Sequence, residues 1–404
     1  MQRHASSLTV LAALAAFSGL SPALAAAESA SARGLDHFYN LEYDEAANSF
    51  RAAIAADPQG LEAYNHLAQT ILYRAMFRSG LLESALITGD DVLTSVFRLP
   101  KLALGAEEER EFNASISTAM RLAKARLERA PGDTAALFAL GSAHGLRANY
   151  SVFVRKAWLD ALRDGNAARQ LHNRAAQLEP ANVDARMMQA INDYVVATLP
   201  AGFRFLAAIV GIRGDRQRGL DTLAEVAAHG RRNREDARIL LATIYRHEKM
   251  ARQSARLVDQ LQADYPRNYL FGFARIFTVL DAGDSAAAWS ALREVEELSA
   301  AAAPGYAHIH PAKLLYARGF IQMRSGDLGA ASATLARAAS VSGPEERLTR
   351  VRSLVRLGQI HDLRGERDLA REAYRTVVAA APGTRCSRES REYLSHPYRA
   401  GESD

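Results

Sequence analysis

The sequence predicts an all-α protein, a solenoid of about eight stacked helical hairpins, and three observations carry that expectation. Between Gly34 and Pro58 the small and aromatic residues take the spacing of two short packed helices. Gly34 on the first faces Ala46 on the second, Phe50 and Ala53 continue the second helix's buried face, and Pro58 stops it. The same offsets return near the C-terminus at Gly358, Ala370, Tyr374, Val377 and Pro382, and one unit earlier at Gly319, Ala331, Leu335 and Ala338. A single hairpin cannot bury its own apolar stripe, so a chain built from such units has to stack them.

The N-terminus comes before the first hairpin. Arg3 and His4, the apolar run LTVLAALAAFSGL and the small-residue stretch SPALAAA read as a secretory signal peptide over residues 1–25. Ala23-Leu24-Ala25 suits signal peptidase, with cleavage after Ala25 or Ala27. An uncleaved anchor is the alternative, although the apolar core is short and alanine-rich for a membrane span. The single cysteine, Cys386, lies far from that site, so lipid attachment there is excluded and no internal disulfide can form. Stability has to come from packing, for which a 49% hydrophobic composition is ample. The formal charge of +5 is spread over interleaved acids and bases, which is no nucleic-acid footprint.

Counting Gly34 as position 8 of a 34-residue unit puts Ala46 at 20 and Ala53 at 27, and this pattern resembles the tetratricopeptide repeat family, with its small residues at 8, 20 and 27. The resemblance implies a right-handed α-solenoid. Its units follow in order: repeat one over 28–60, repeat two with a long insertion over 61–132, and extended hairpins three and four over 133–232. Repeats five and six occupy 233–305, repeats seven and eight 311–384, and a cap or tail 385–404. Repeat five shows Ala242, Tyr245, Ser254, Val258 and Pro266. Repeat six is degenerate, with Phe271, Arg275, Ala287 and Ala291 around a Gly283-Asp284 turn that matches Gly326-Asp327 and Gly365-Glu366.

Positions 8 and 20 stand 12 residues apart in repeat one, but Ala68 to Ala119 is 51, Gly141 to Ala168 is 27 and Ala190 to Gly219 is 29. The excesses of 39, 15 and 17 all fall at the turn inside a repeat, on one edge of the solenoid. The last two equal about two helical turns per arm, so both hairpins are expected to be lengthened. The insertions carry Leu81, Leu82, Leu86, Val92, Val96, Phe97 and Leu102, then Tyr150, Val152, Phe153, Trp158 and Leu162, then Val196, Phe203, Phe205, Leu206, Ile209 and Val210. Either these pack on one another as a satellite core or they cap an apolar groove.

Catalytic patterns fail on spacing. His247-Glu248 lacks a second histidine four residues on, and His308 and His310 sit in a loop before a helix started by Pro311. Gly141-Ser142-Ala143-His144-Gly145 lies within a helix, not on a strand-to-helix elbow. His37, His144 and His361 recur at position 11, which marks a structural role. No metal, cofactor or enzymatic activity is expected.

The resemblance implies that first helices line the concave face at positions 2, 5, 9, 12 and 13. The binding candidates there are Phe38, Tyr39, Tyr73, Phe138, Met187, Ile191, Tyr194, Tyr316 and Phe320. Aromatic and methionine side chains suit a peptide or an apolar ligand; the alternative is a groove filled by the extended hairpins. Chaperone-binding members of the family hold terminal carboxylates with Lys at position 5 and Asn at 9, a pair this chain lacks. The expected function is a non-enzymatic exported scaffold that contacts an envelope protein or peptide. It would be periplasmic or secreted, with no transmembrane span after signal cleavage. The alternative is a periplasmic binding protein for an apolar or small organic ligand, similar to the repeat components that accompany some solute transporters.

Overall fold

The computed structural model describes residues 22–88, 101–199, 201, 202, 204, 213–341, 343 and 346–401, and among these there is no strand. The first helices are α1 (Pro22–Tyr39), α2 (Tyr43–Ala56), α3 (Leu61–Arg78), α4 (Leu81–Thr88), α5 (Ala106–Arg129) and α6 (Thr134–Tyr150). They are followed by α7 (Trp158–Leu178), α8 (Met187–Thr198), α9 (Arg216–His229), α10 (Arg234–His247), α11 (Ala251–Asp264) and α12 (Tyr269–Asp281). The last are α13 (Ser285–Ala300), α14 (Pro311–Arg324), α15 (Leu328–Ala339), α16 (Arg347–Leu363), α17 (Arg367–Ala380) and α18 (Arg385–Ser395). Successive partners α1/α2, α3/α5, α6/α7, α8/α9, α10/α11, α12/α13, α14/α15 and α16/α17 pack as eight hairpins, and α18 caps α17. Helix α4 and the capping α18 are the described helices outside this pairing.

Close approach at the glycines sets the stacking. A Cβ on Gly34 would lie 2.6 Å from the Phe50 ring, and one on Gly319 would lie 2.6 Å from Leu335. Gly358 stands the same way against Tyr374. Each pair is sixteen residues apart, and Phe50, Leu335 and Tyr374 are all fully buried. In the third hairpin the facing residue is His172, whose ring lies 2.7 Å from a Cβ built on Gly141. Burial pushes the His172 imidazole down to about 4. In the fifth, the Ser254 hydroxyl donates to the Ala242 carbonyl at 2.8 Å, a direct contact of positions 20 and 8.

Turn chemistry fixes where each second helix begins. Asp284 and Asp327 accept from the amides of Ala287 and Ala330, three residues on, and the buried small residue comes one later. Ala288 and Ala331 are both 0% exposed. This corrects the reading of repeat six. Its buried alanine is Ala288, not Ala287, and the matching first-helix position is the fully buried Ile276, not Arg275. Gly283, Gly326 and Gly365, at φ of +88°, +85° and +75°, supply the left-handed residue of these turns.

Only one of the two expected lengthened hairpins forms that way. Helix α6 runs on through a π turn, Ser151–Arg155, before Lys156 reverses the chain and α7 starts at Trp158, ten residues ahead of Ala168. In repeat four, by contrast, α9 starts at Arg216, three residues before Gly219 as in an ordinary unit, so the extra length lies in the connection. Gly214 packs directly on the backbone of Val196 and Ala197, which a side chain there would forbid, and so returns the chain to α9 at the usual place. The insertions of repeats two and three do pack together: Phe112 stacks on Tyr150 at 4.8 Å, and the Leu102 amide donates to the Phe153 carbonyl at 2.8 Å. Leu102 and Val154 are buried with them. At the tip of this hairpin Leu159 and Leu162 stay 71% and 70% exposed. The side chain of Leu86, and Val92, Val96, Phe97, Phe203, Phe205, Leu206, Ile209 and Val210, lie outside the described residues, as do residues 1–21. Among the described residues no helix is long and apolar enough to cross a membrane.

Candidate functional site

The inner face is where the first helices converge, and the chain itself occupies much of it. Tyr39 packs on Tyr265 with ring centroids 5.0 Å apart, and its hydroxyl donates to Asp236 Oδ1 at 3.0 Å. Gln69 Nε2 donates to Asp236 Oδ2 at 3.4 Å. Next to them, Asn268 Nδ2 donates to the Tyr39 carbonyl at 2.7 Å and the Arg267 amide donates to Asn40 Oδ1 at 3.0 Å. The Arg267 guanidinium pairs with Glu42 at 2.7 Å and Asp36 at 2.6 Å. Repeats one and two therefore close onto the junction of repeats five and six.

The nine candidate residues fall into separate clusters. Phe38, Tyr39 and Tyr73 join the core of the first three repeats, with Phe38 and Tyr73 rings 5.2 Å apart. Phe138 meets the His172 ring edge-on at 4.8 Å and carries the Arg232 guanidinium over its face at 5.3 Å. Met187, Ile191 and Tyr194 belong to the cluster of repeats four and five, and the Tyr194 hydroxyl donates to Glu248 at 2.9 Å. Tyr316 and Phe320 stack on each other and meet the tilted ring of Phe277 in the C-terminal core, where Arg356 covers Phe320 at 4.4 Å.

Helix α4 is a second occupant. Leaving α3 through Ser79 and the left-handed Gly80 (φ +74°), it crosses to the C-terminal repeats. Glu83, 8% exposed, pairs through Oε2 with Lys313 Nζ at 2.7 Å and through Oε1 with Arg352 at 3.1 Å. Lys313 also lies 3.6 Å from Glu346, Arg352 donates to Ser84 Oγ at 3.2 Å, and Leu82 packs on the C-terminal core. Counted from Gly319, Gly358 and Ala242, the residues Lys313, Arg352 and Asp236 all stand at position 2. Sequence reading passed over them because it scored that face for apolar side chains; charge at this one position in repeats five, seven and eight was the available signal.

The position-11 histidines are structural. His37 lies 2.6 Å from Glu42 and His361 lies 2.6 Å from Glu366, each spanning the inter-helix turn, and His144 lies 2.8 Å from Asp164 across the longer hairpin. His310 Nδ1 accepts from the Ala312 amide at 3.1 Å and caps α14. No group of three metal-ligating side chains comes together among the described residues.

Residues 351–384 match the family model described as tetratricopeptide repeat. These residues carry a tetratricopeptide repeat. Three solved structures of tetratricopeptide repeat proteins are similar to it at low identity. Yeast Tom70 is 11% identical, covering 91% of this chain and 95% of its own, with a TM-score of 0.36. A tetratricopeptide repeat protein from Parabacteroides merdae is 15% identical, with coverages of 82% and 99% and a TM-score of 0.20. The tetratricopeptide repeat domain of P58(IPK) is 16% identical, with coverages of 91% and 97% and a TM-score of 0.23. No curated protein matches the chain.

Asp236 gives this inner face a measurable pH dependence. Both hydrogen bonds to its oxygens come from neutral groups, and burial pushes its carboxyl up to about 6 despite them. A folded-state value above the unfolded one means that protonation favours the fold. That contribution is complete below about pH 4 and is lost as pH rises through about 6. Because Asp236 keeps a partial opening to solvent, Asp236→Asn should raise stability by about 1 to 2 kcal/mol at about pH 8 and leave it unchanged at about pH 3.5. Urea titrations of both proteins at the two pH values check this; an Asn variant that is weaker at the higher pH contradicts it.

Proposed function

We propose that the chain is a non-enzymatic scaffold for protein contact, exported to the periplasm or secreted. The observation that supports it is α4: the inner face of repeats seven and eight already holds a short helix through a carboxylate and an adjacent leucine. A surface that seats a helical segment of its own chain has the shape and charge to seat one from another protein. Native mass spectrometry of the purified chain tests the reading. A co-purifying polypeptide is the expected result, and a stoichiometric small organic molecule in its place overturns it.

The second reading, a binding component for a small organic ligand, has one feature in its favour. A cleft of about 210 Å³ lies between α7, α8 and α9, lined by Arg169, Asn173, Gln189, Asn192, Asp193 and Arg218, with Arg213 at its edge. Asp193 is already held by Arg218 through two bonds of 2.7 and 2.8 Å. The remaining lining is polar and cationic, which, of the apolar or small organic ligand expected from sequence, favours a small organic acid.

Export rests on the basic, apolar and small-residue pattern of the first 25 residues. Leu24 is exposed whereas Ala27 and Ala30 face inward against the first hairpin, so cleavage after Ala25 spares the packed part of α1. The mature chain should begin at Ala26, or at Glu28 if cleavage follows Ala27. N-terminal sequencing of exported protein decides this, and a start at Met1 in a membrane fraction would establish an anchor.

A further inference from the structure

We infer that α4 is a displaceable internal ligand, and that the face it covers on repeats six to eight takes an acidic, leucine-bearing helical segment of a partner protein. The inference rests on the scaffold reading and names the partner's chemistry. Its sequence, Leu-Leu-Glu-Ser-Ala-Leu-Ile-Thr over residues 81–88, is an insertion that the hairpin of repeat two does not need, since α3 and α5 pack without it. At eight residues it is too short to be helical on its own and depends on the face it lies against.

The ionic part of the hold on α4 is reproducible by any carboxylate of similar reach. Lys313 and Arg352 come from the same position of two successive repeats and converge on Glu83, with Glu346 as a second acid beside Lys313. With Glu83 the cluster is neutral; without it, two cations face one carboxylate. Glu346 Oε2 is buried with no hydrogen-bond partner, so the cluster is not fully satisfied even with α4 seated. Desolvation offsets much of the attraction in a buried ion pair, and exchanging one carboxylate for another leaves that balance nearly unchanged. The apolar share of the recognition is Leu82 against the C-terminal core, with Phe77 just before it 6.3 Å from Tyr269, while Leu81 and Leu82 also pack on the core of the first three repeats. A left-handed glycine in the Ser79-Gly80 turn joins α4 to α3. A partner has to outcompete a tethered helix at an effective concentration of about millimolar, so the covered state suppresses weak or mismatched partners.

The test is fluorescence anisotropy of a labelled synthetic peptide of residues 79–88 with the full mature chain. Glu83→Gln in the chain loosens the internal helix while Lys313 keeps Glu346, and Leu82→Ala loosens it without touching the ions. Each variant should bind the peptide at least about tenfold more tightly than wild type, because the competent open state is more populated. A peptide with Gln in place of its glutamate should lose that gain, and adding Lys313→Gln to the Glu83→Gln chain should abolish it. Folded variants that bind no better than wild type overturn the proposal, as does unfolding of both variants, which would make α4 a fixed structural part. Concentration-dependent dimerisation of Glu83→Gln would assign the face to a second copy of the chain and overturn the foreign partner. None of these failures touches the scaffold reading, which native mass spectrometry judges separately.

Discussion

Phe50→Ala is expected to lower stability by about 3 to 5 kcal/mol, the cost of a cavity left by a deleted buried aromatic ring. Phe50 is 0% exposed, sits against Gly34 within its own hairpin and stacks on His66 of the next at 5.2 Å. The surroundings cannot collapse easily, since Gly34 has no side chain to move inward and α1 is held in place by Ala46 and Ala53, both buried. The opposite error, filling the space, should show at the other end of the chain. Gly358→Leu meets the fully buried Tyr374, whose hydroxyl is fixed by Asp362 at 3.0 Å, and should cost about 1 to 3 kcal/mol. Chemical denaturation reads both, with the exposed Glu45→Ala as the variant expected to leave the midpoint in place. Unchanged midpoints for Phe50→Ala and Gly358→Leu would mean that the sixteen-residue pairing does not hold the hairpins.

The parts of this fold that were legible in the sequence are those decided within one hairpin. A glycine and an aromatic or leucine sixteen residues apart have to meet if the turn is of standard length, and Gly34, Gly319 and Gly358 each meet their partners. The lengthened arms of repeat three were readable for the same reason, because fifteen extra residues divide into whole turns on two helices that stay in contact. In repeat four a similar excess went into the connection. What decided it was Gly214 lying flush on the backbone of α8, a contact that no periodicity announces. Repeat six was misaligned by one residue because a run of three alanines, Ala286 to Ala288, offers the small residue at any of three places; the capping Asp284 settles which one is buried.

The candidate site was legible as a face and not as a state. The aromatic and methionine residues at these positions suit either the lining of a groove or a groove already filled, and most of them are buried in separate clusters. They are apolar largely because other parts of the chain cover them: Tyr265 on Tyr39, Arg232 on Phe138, Phe277 on Tyr316 and Phe320. Whether a solenoid closes depends on small rotations summed over several repeats, and on which residues happen to meet more than two hundred positions apart. Asn268 and Tyr39 are such a pair, and so are Glu83 and Lys313. Nothing in a local pattern distinguishes an inward position awaiting a partner from one already filled.

Asn268→Ala is expected to open this closure, with a stability loss of about 2 to 4 kcal/mol. Asn268 is 3% exposed and makes two bonds with one side chain: its Oδ1 accepts from the Leu270 amide at 3.0 Å and caps α12, and its Nδ2 donates to the Tyr39 carbonyl at 2.7 Å. Losing the cap costs about 1 kcal/mol, and a buried carbonyl left without its donor adds about 1 to 3. The neighbouring ion pairs of Arg267 with Glu42 and Asp36 are partly exposed and should contribute only about 0 to 1 kcal/mol each, so they offset little of the lost bond, and the closure is left to the Arg267 amide on Asn40 and the bonds of Tyr39 and Gln69 to Asp236. Asn268→Asp separates the two contributions. It keeps the cap, removes the donor and sets a carboxylate against the Tyr39 carbonyl, so it should open the closure as fully as alanine does. Small-angle scattering supplies the second readout: both variants should show a larger radius of gyration than wild type while circular dichroism keeps its helical content, because separating repeat one from repeats five and six leaves each hairpin intact. An Asp variant as compact as wild type would shift the closure to the packing of Tyr39 on Tyr265. The inner face of the first two repeats would then be sealed by apolar contact, and a partner could reach it only by displacing a ring, not by breaking a hydrogen bond.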